Sequence, residues 1–197
     1  MPRTKSNSQA RERVLDTADR LFYREGIRAV GIDRIIAEAD VAKMTLYAHF
    51  ASKDDLILAV LARREQAVLE FFRVAMEKHD KRSKTSLLAF FAALKDLLAS
   101  AEFRGCAFAN AAIELADPSH PGPAFVRGYK RRFADFLRGL IAELIGASAA
   151  ASVAPAVAML VEGALVTAAI HGPRNVANTA RGAAMALVKG AKRKSAV

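Results

Sequence analysis

Four histidines (His49, His79, His120, His171) and one cysteine (Cys106) are the side chains best suited to proton or electron chemistry. Their spacing supports little of it. None of the histidines has a nucleophile at a telling distance along the chain. No zinc-ligand spacing, Gly-rich phosphate loop or Gly-x-Ser-x-Gly elbow occurs, so the sequence calls for no enzyme, metal or cofactor. A single cysteine excludes an internal disulfide and suits the reducing cytoplasm. Cys106, in Arg104-Gly105-Cys106, could act as a thiol sensor, but no second cysteine resolves a sulfenic acid within the chain. The alternative is a small buried hydrophobe.

A different chemistry gathers between positions 43 and 53. Lys43, Thr45, Tyr47 and His49 offer ammonium, hydroxyl and imidazole groups, which suit phosphate oxygens and base edges. Met44 could touch a thymine methyl, and Lys53 stands where a helix N-terminus would add partial positive charge near a phosphate. The alternative is that these groups solvate a helix face and that Tyr47 is packing. Bulk charge decides little. The net charge is +10, but residues 1–55 hold ten Lys/Arg against nine Asp/Glu, leaving +9 to the remainder. A basic chain favours polyanions, yet here the placement of particular residues must carry the argument.

The elements that would position these groups are helices. The chain is 53% hydrophobic, rich in Ala and Leu, and poor in β-branched runs, a composition that predicts an all-α fold with a sizeable core. Apolar residues recur at helical spacing from Ser8 to Arg24, and Gly26 suits a left-handed cap. Ile32–Ala39 and Ala42–His49 read as short helices joined by a tight turn at Asp40 and Val41. Ser52 caps a long helix from Lys53 to about Lys78, with Asp54 and Asp55 in its first turn. Polar residues 79–84 read as a loop. Further helices are expected over Thr85–Ala101, about Gly105–Ala116, Pro123–Ile145, Pro155–His171 and Pro173–Lys189. Gly146–Ser152 reads as a small-residue joint and Lys189–Val197 as a frayed tail. The first ten residues lack the apolar core of a signal peptide. Val153–Ile170 is the most membrane-like stretch, but its Pro155, Glu162 and Thr167 favour a packed helix, so no membrane partner is expected.

Two short helices about a tight turn describe a helix-turn-helix, in which the second helix enters the DNA major groove. Ile32, Ile35, Ile36, Val41, Leu46 and Phe50 would hold the pair together. The stretch from Ile32 to Leu56 resembles the DNA-binding domain of the TetR (tetracycline-repressor-like) regulators. Its Thr45-Leu46-Tyr47-x-His49-Phe50, followed by Ser52-Lys53-x-x-Leu56, is similar to that family's signature, as is Ala18-x-x-Leu21-Phe22-x-x-x-Gly26. Three departures bear on base preference. Gly31 replaces a common Thr or Ser, Asp40 a common Gly, and Ala42 and Met44 a common Ser and Gly.

The resemblance implies roles. Lys43, Met44 and Thr45 would face base edges or nearby phosphates, while Tyr47, His49 and Lys53 would hold the backbone. Arg3 and Lys5 would form a basic arm. Residues 1–52 would be the N-terminal three-helix helix-turn-helix domain, and 53–197 a larger C-terminal helical domain for ligand binding and dimerisation. A homodimer would face double-stranded DNA carrying an inverted-repeat operator, as a repressor released by a small-molecule effector. Within the second domain Phe71, Phe108, Asn110, Glu114, Phe125 and Tyr129 are candidate ligand contacts. The alternative is that the phenylalanines are core and the polar groups face water, as such residues more often do. Ala158, Gly163, Ala164, Thr167 and Ala168, with Ala180, Ala183 and Ala184, permit close helix approach, and the resemblance suggests a four-helix interface between subunits. A nucleoid-type DNA-coating protein is the competing binding role.

Overall fold

The computed structural model describes residues 3–80, 83–117 and 119–194, with side chains within 8–79, 83–117 and 119–193. Nine α-helices and no strand occur among the described residues. They are α1 (Arg3–Glu25), α2 (Ile32–Ala39), α3 (Lys43–His49), α4 (Lys53–Asp80), α5 (Ser86–Ala99), α6 (Ala107–Glu114), α7 (Pro121–Ile145), α8 (Ala147–His171) and α9 (Val176–Lys194). The expected all-α class is what forms. The helices sort into two compact units, one of residues 1–66 with 107–127 and one of 67–106 with 128–197.

In the first unit α1 packs on α2 and α3. Its apolar stripe Val14, Leu15, Ala18, Leu21 and Phe22 is buried, together with Ile35, Ala39, Leu46 and Phe50 from the helix pair. That spacing is one face of a helix, and burying it against α2 and α3 is what stabilises those two short helices, which would not be helical alone. Gly26 takes φ +95° just past α1, and its N–H bonds the carbonyl of Phe22 at 3.1 Å. Asp40 ends α2 at φ 51°, the left-handed conformation the tight turn demands. Arg13 of α1 reinforces this turn, donating to the carbonyls of Ala39 and Asp40, each at 3.2 Å. α4 opens as the sequence predicts, with the Ser52 hydroxyl accepting from Asp55 N–H at 3.0 Å and donating to its carboxylate at 2.9 Å. From its third turn Arg63 reaches Asp16 at 2.5 Å and Arg64 pairs with Asp19, tying α4 to α1.

In the second unit α9 packs on α5 and α8. The core collects Leu87, Phe90, Phe91, Leu94 and Leu98 of α5 with Tyr129, Phe133, Leu137 and Ile141 of α7. Phe72, Phe90, Phe133 and Phe136 form a cluster with ring centroids 5.0–6.2 Å apart. Thr85 caps α5, accepting from Leu88 N–H at 3.3 Å.

Several boundaries differ from the sequence reading. α1 begins five residues earlier than Ser8, at Arg3. α7 begins at Pro121 and keeps Pro123 in its first turn, where a missing N–H costs nothing. The joint expected at Gly146–Ser152 is confined to Gly146, whose φ of +81° ends α7 before α8 starts at Ala147. Ala-rich residues 147–154 are strong helix formers, so Pro155 lies inside α8 rather than at its start. α9 begins at Val176, three residues after Pro173, and runs on to Lys194, so the segment read as a tail is helical up to that point. α8 is long and apolar enough to cross a membrane by length and composition, with about a third of its most apolar window buried.

Candidate nucleic-acid interface

α3 is seven residues long, and its two faces differ sharply. Leu46 is fully buried and Phe50, just beyond the helix, is nearly so, while Met44 is 81% exposed and Tyr47 42%. Lys43 and Ala48 are exposed and Thr45 is half-buried. The helix thus presents an ammonium, a thioether, a hydroxyl and a phenol on the side opposite its anchor. An exposed methionine at the start of a short helix contributes nothing to the fold and is available for contact.

The groups on this face are lightly held. Lys43 Nζ lies 3.3 Å from the Asp33 carboxylate, both well exposed, and such pairs contribute little. His49 is half-buried, its ring tilted against Phe50 at 6.4 Å, and its Nε2 is buried without a hydrogen-bond partner. Lys53 is committed elsewhere. Its ammonium donates to the Ile27 carbonyl at 2.7 Å and lies 5.8 Å from the Phe22 ring centroid. Burial pushes the Lys53 pKa below its ordinary value, against the nearby charges of Asp54 and Glu114. The structure therefore groups Lys43, Met44, Thr45 and Tyr47 on one surface and sets His49 and Lys53 inward. The side chains of Arg3 and Lys5 lie outside the described residues.

The helix pair is also held from behind. Ile35 is fully buried, and Ile32, Ile36 and Val41 are half-buried. Arg34 pairs with Glu25 and Glu38, and Arg20 reaches Glu38 at 2.6 Å. The loop between α1 and α2 is clamped by Lys53 at Ile27 and by Glu114, whose carboxylate accepts Arg28 N–H at 3.0 Å. These clamps and the Arg13 contact were not anticipated from sequence. Arg13 directly precedes the buried Val14, which is the only hint the sequence offers.

The candidate ligand contacts fall in both units. Asn110 and Glu114 line a crevice with Phe22, Tyr23 and Ile27 of about 20 Å³, room for one water molecule. Phe108 is 2% exposed and Phe125 half-buried in the same unit. In the second unit Phe71 meets Phe72 edge-on at 5.5 Å, and Tyr129 stacks on Phe133 at 6.1 Å. Cys106 is half-buried, with Lys130 Nζ 3.2 Å from its sulfur and 2.5 Å from Glu162. No cluster of His, Cys, Asp and Glu suited to a metal occurs among the described residues.

A buried stripe on α1, a left-handed turn and an exposed second helix define a helix-turn-helix protein. Residues 14–60 match the family of bacterial regulatory proteins, tetR family. The fold superposes on SCO4454, a TetR-family transcriptional regulator from Streptomyces coelicolor, with a TM-score of 0.82 and 36% identity over 94% of this chain and 97% of that one. The chain is 35% identical over 86 residues to the HTH-type transcriptional activator FasR of Mycolicibacterium smegmatis, covering 42% of this chain and 39% of FasR. It is 32% identical over 69 residues to an HTH-type transcriptional regulator of Staphylococcus aureus, covering 35% of this chain and 37% of that one. The matched stretch thus spans well under half the length of these two relatives. The chain belongs to the TetR family of DNA-binding transcriptional regulators.

Proposed function

We propose that this regulator is a homodimeric repressor that binds an inverted-repeat operator and is released by a small-molecule effector. The observation that carries the DNA contact is the exposed face of α3 above a buried Leu46. Lys43, Met44 and Thr45 would face base edges or nearby phosphates, and Tyr47, His49 and Lys53 the phosphate backbone. Lys53 would exchange the Ile27 carbonyl for a phosphate oxygen, and His49 would turn its ring outward. Residues 1–52 would serve as the DNA-binding domain and 53–197 as the effector and dimerisation domain.

The dimer reading is supported by an apolar face left uncovered among the described residues. Met159, Val166 and Ile170 of α8 are 70%, 52% and 68% exposed, and Leu187 of α9 is 40% exposed. Open grooves of about 1000 and 420 Å³ run along the same two helices. Such a surface, continued over α8 and α9, suits a second copy of the chain packed as a four-helix interface in the cytoplasm. A two-fold axis would then present two α3 helices to two half-sites.

α4 gives the effector a route. The helix runs unbroken from the first unit into the second. A ligand that favours one arrangement of the second unit would shift the spacing of the two heads by its differential affinity and no more.

The test is selection of duplexes from a random library by the purified protein, with salt titration. The reading expects an inverted repeat whose enrichment is lost in Tyr47→Ala and Lys43→Ala. Salt-sensitive binding with no enriched sequence would instead make this a DNA-coating protein. Transcription from a promoter carrying the selected site, falling on addition of the protein, separates repression from activation.

A further inference from the structure

A cleft of about 300 Å³ opens in the second unit between α4 and α7, lined by Leu69, Phe72, Met76, Phe133 and Phe136, with Arg73 and Glu77 at its mouth. It is distinct from the grooves along α8 and α9 and from the residues the sequence put forward for ligand. We infer that this cleft binds a flat aromatic molecule of two or three rings that carries no anionic group. The inference rests on the reading of the second unit as an effector domain.

Size and lining come first. The volume falls at the lower end of the range of about 300–1,000 Å³ seen for small-molecule sites. Leu69, Phe72 and Met76 recur at positions i, i+3 and i+7 of α4, and Phe133 and Phe136 at i and i+3 of α7, so one stripe of each helix faces the space. Leu69 is 45% exposed, although it belongs to this apolar stripe, and Met76 and Phe136 are only half-buried. Phe72, in turn, is packed from behind by Phe90 at 5.0 Å and Phe133 by Tyr129 at 6.1 Å, so the ring walls are braced in place. Braced aromatic walls offer flat faces at little ordering cost, and a thioether adapts to the edge of a ring.

The mouth argues against an anionic group. Arg73 lines the cleft, and its guanidinium is already engaged. It donates to Glu70 at 2.8 and 2.6 Å and to Glu77 at 2.7 Å. These contacts hold the Glu70 carboxyl below and the Arg73 guanidinium above their ordinary values. One guanidinium held by two carboxylates leaves no free cation to receive an anion, and the set is negative on balance. An anionic ligand would have to shed water against apolar walls with no free cation to replace it.

The experiment uses the full chain and two probes that share one ring skeleton. N-phenyl-1-naphthylamine is uncharged, and 8-anilino-1-naphthalenesulfonate adds a sulfonate. The expected result is saturable binding of the uncharged probe, one per chain, at least tenfold tighter than the sulfonate. Met76→Trp, which fills the cleft, should weaken the uncharged probe at least tenfold while far-ultraviolet circular dichroism stays unchanged. Glu70→Gln with Glu77→Gln frees Arg73 and should shift preference towards the sulfonate. Absence of binding by the uncharged probe, equal binding of both probes, or binding insensitive to Met76→Trp in a folded protein would each overturn the inference. Operator release is read separately on the selected duplex. Cleft binding without release leaves the cleft and removes the effector reading. Release by some other compound, with the uncharged probe unbound, removes the cleft and leaves the effector reading.

Discussion

The carboxylate of Glu114, in the last turn of α6, accepts the backbone N–H of Arg28 at 3.0 Å, and the approach is close because residue 26 has no side chain. A Cβ on Gly26 would lie 2.9 Å from Glu114 Oε2. Gly26 also holds φ +95°, where an L side chain is strained whatever the space. Gly26→Ala should therefore cost about 1–3 kcal/mol in urea unfolding, and Glu114→Ala about 1 kcal/mol for the lost acceptor. The double variant should lose less than the sum of the two, because removing the carboxylate removes the clash. Additive losses would mean that the strain at Gly26 is purely backbone.

Acid stability should depend on Glu38. Its hydrogen bonds from Arg20 and Arg34 hold the carboxyl below its ordinary value of 4.5. As pH falls the unfolded chain takes up this proton first. The stabilisation is thus complete above about pH 4.5 and is lost as pH falls through the lower folded value. Melting temperatures of wild type and Glu38→Gln, measured from pH 7 down to pH 3 (about the span of this titration), should differ most at the neutral end and converge at the acid end. A gap that is constant across the range would show the ion pairs to be without effect.

On DNA, the α3 face predicts two separable signatures. Lys43→Ala should weaken operator binding at every salt concentration and lower the slope of log K against log salt by about 1, because one phosphate contact is lost. Tyr47→Phe keeps the ring and removes one hydroxyl, and should cost about five- to tenfold in affinity. Met44→Ala should leave the salt slope unchanged and relax the preference at one base pair in the selected site, because a methyl contact carries no charge. A changed slope for Met44→Ala would place this helix differently in the groove.

The left-handed Asp40 tests how the turn is made. At φ 51° the residue sits where glycine is unstrained and Asp and Asn are tolerated. Asp40→Gly should change stability by only a few tenths of a kcal/mol, since relief of strain is offset by a more flexible unfolded chain. Asp40→Ala should cost about 1 kcal/mol and Asp40→Val more, as a β-branched side chain suffers most in this region. Chemical denaturation of the three variants checks the order.

Much of this fold was legible because its cues are local. Gly26 and Asp40 mark positive φ, Ser52 a cap, and the stripe from Val14 to Phe22 a buried face, so the helix pair and its anchor could be placed from residue types alone. Pro155 misled because a proline usually opens a helix, whereas the Ala-rich stretch 147–154 before it carries α8 through it. The functional surface was harder. Tyr47 and Met44 are exposed as a binding face requires, but Lys53 is bound to a carbonyl 26 residues away. Glu114, put forward as a ligand contact, holds a backbone amide 86 residues away. Such long-range pairings leave no spacing signal. The α4–α7 cleft left only a faint one, a stripe of Leu69, Phe72 and Met76 that core packing would equally explain.

The exposed stripe of α8 carries the last prediction. Met159, Gly163, Val166 and Ile170 follow one another at i, i+4, i+7 and i+11, so they share a face. A Cβ built on Gly163 would meet nothing within 4 Å among the described residues, which leaves that face open there. On α9, Ala183, Leu187 and Gly190 repeat the pattern at i, i+4 and i+7. If a second copy covers these residues, Val166→Asp with Ile170→Asp buries unpaired carboxylates and should halve the mass measured by sedimentation equilibrium, with helix content retained. Operator affinity should then fall at least about 100-fold, because the second half-site is no longer held near the first at high effective concentration. Binding to a single half-site, which needs one α3 only, should be unchanged. A variant that stays dimeric would move the interface elsewhere, and one that becomes monomeric yet keeps full operator affinity would mean that the two half-sites are read independently.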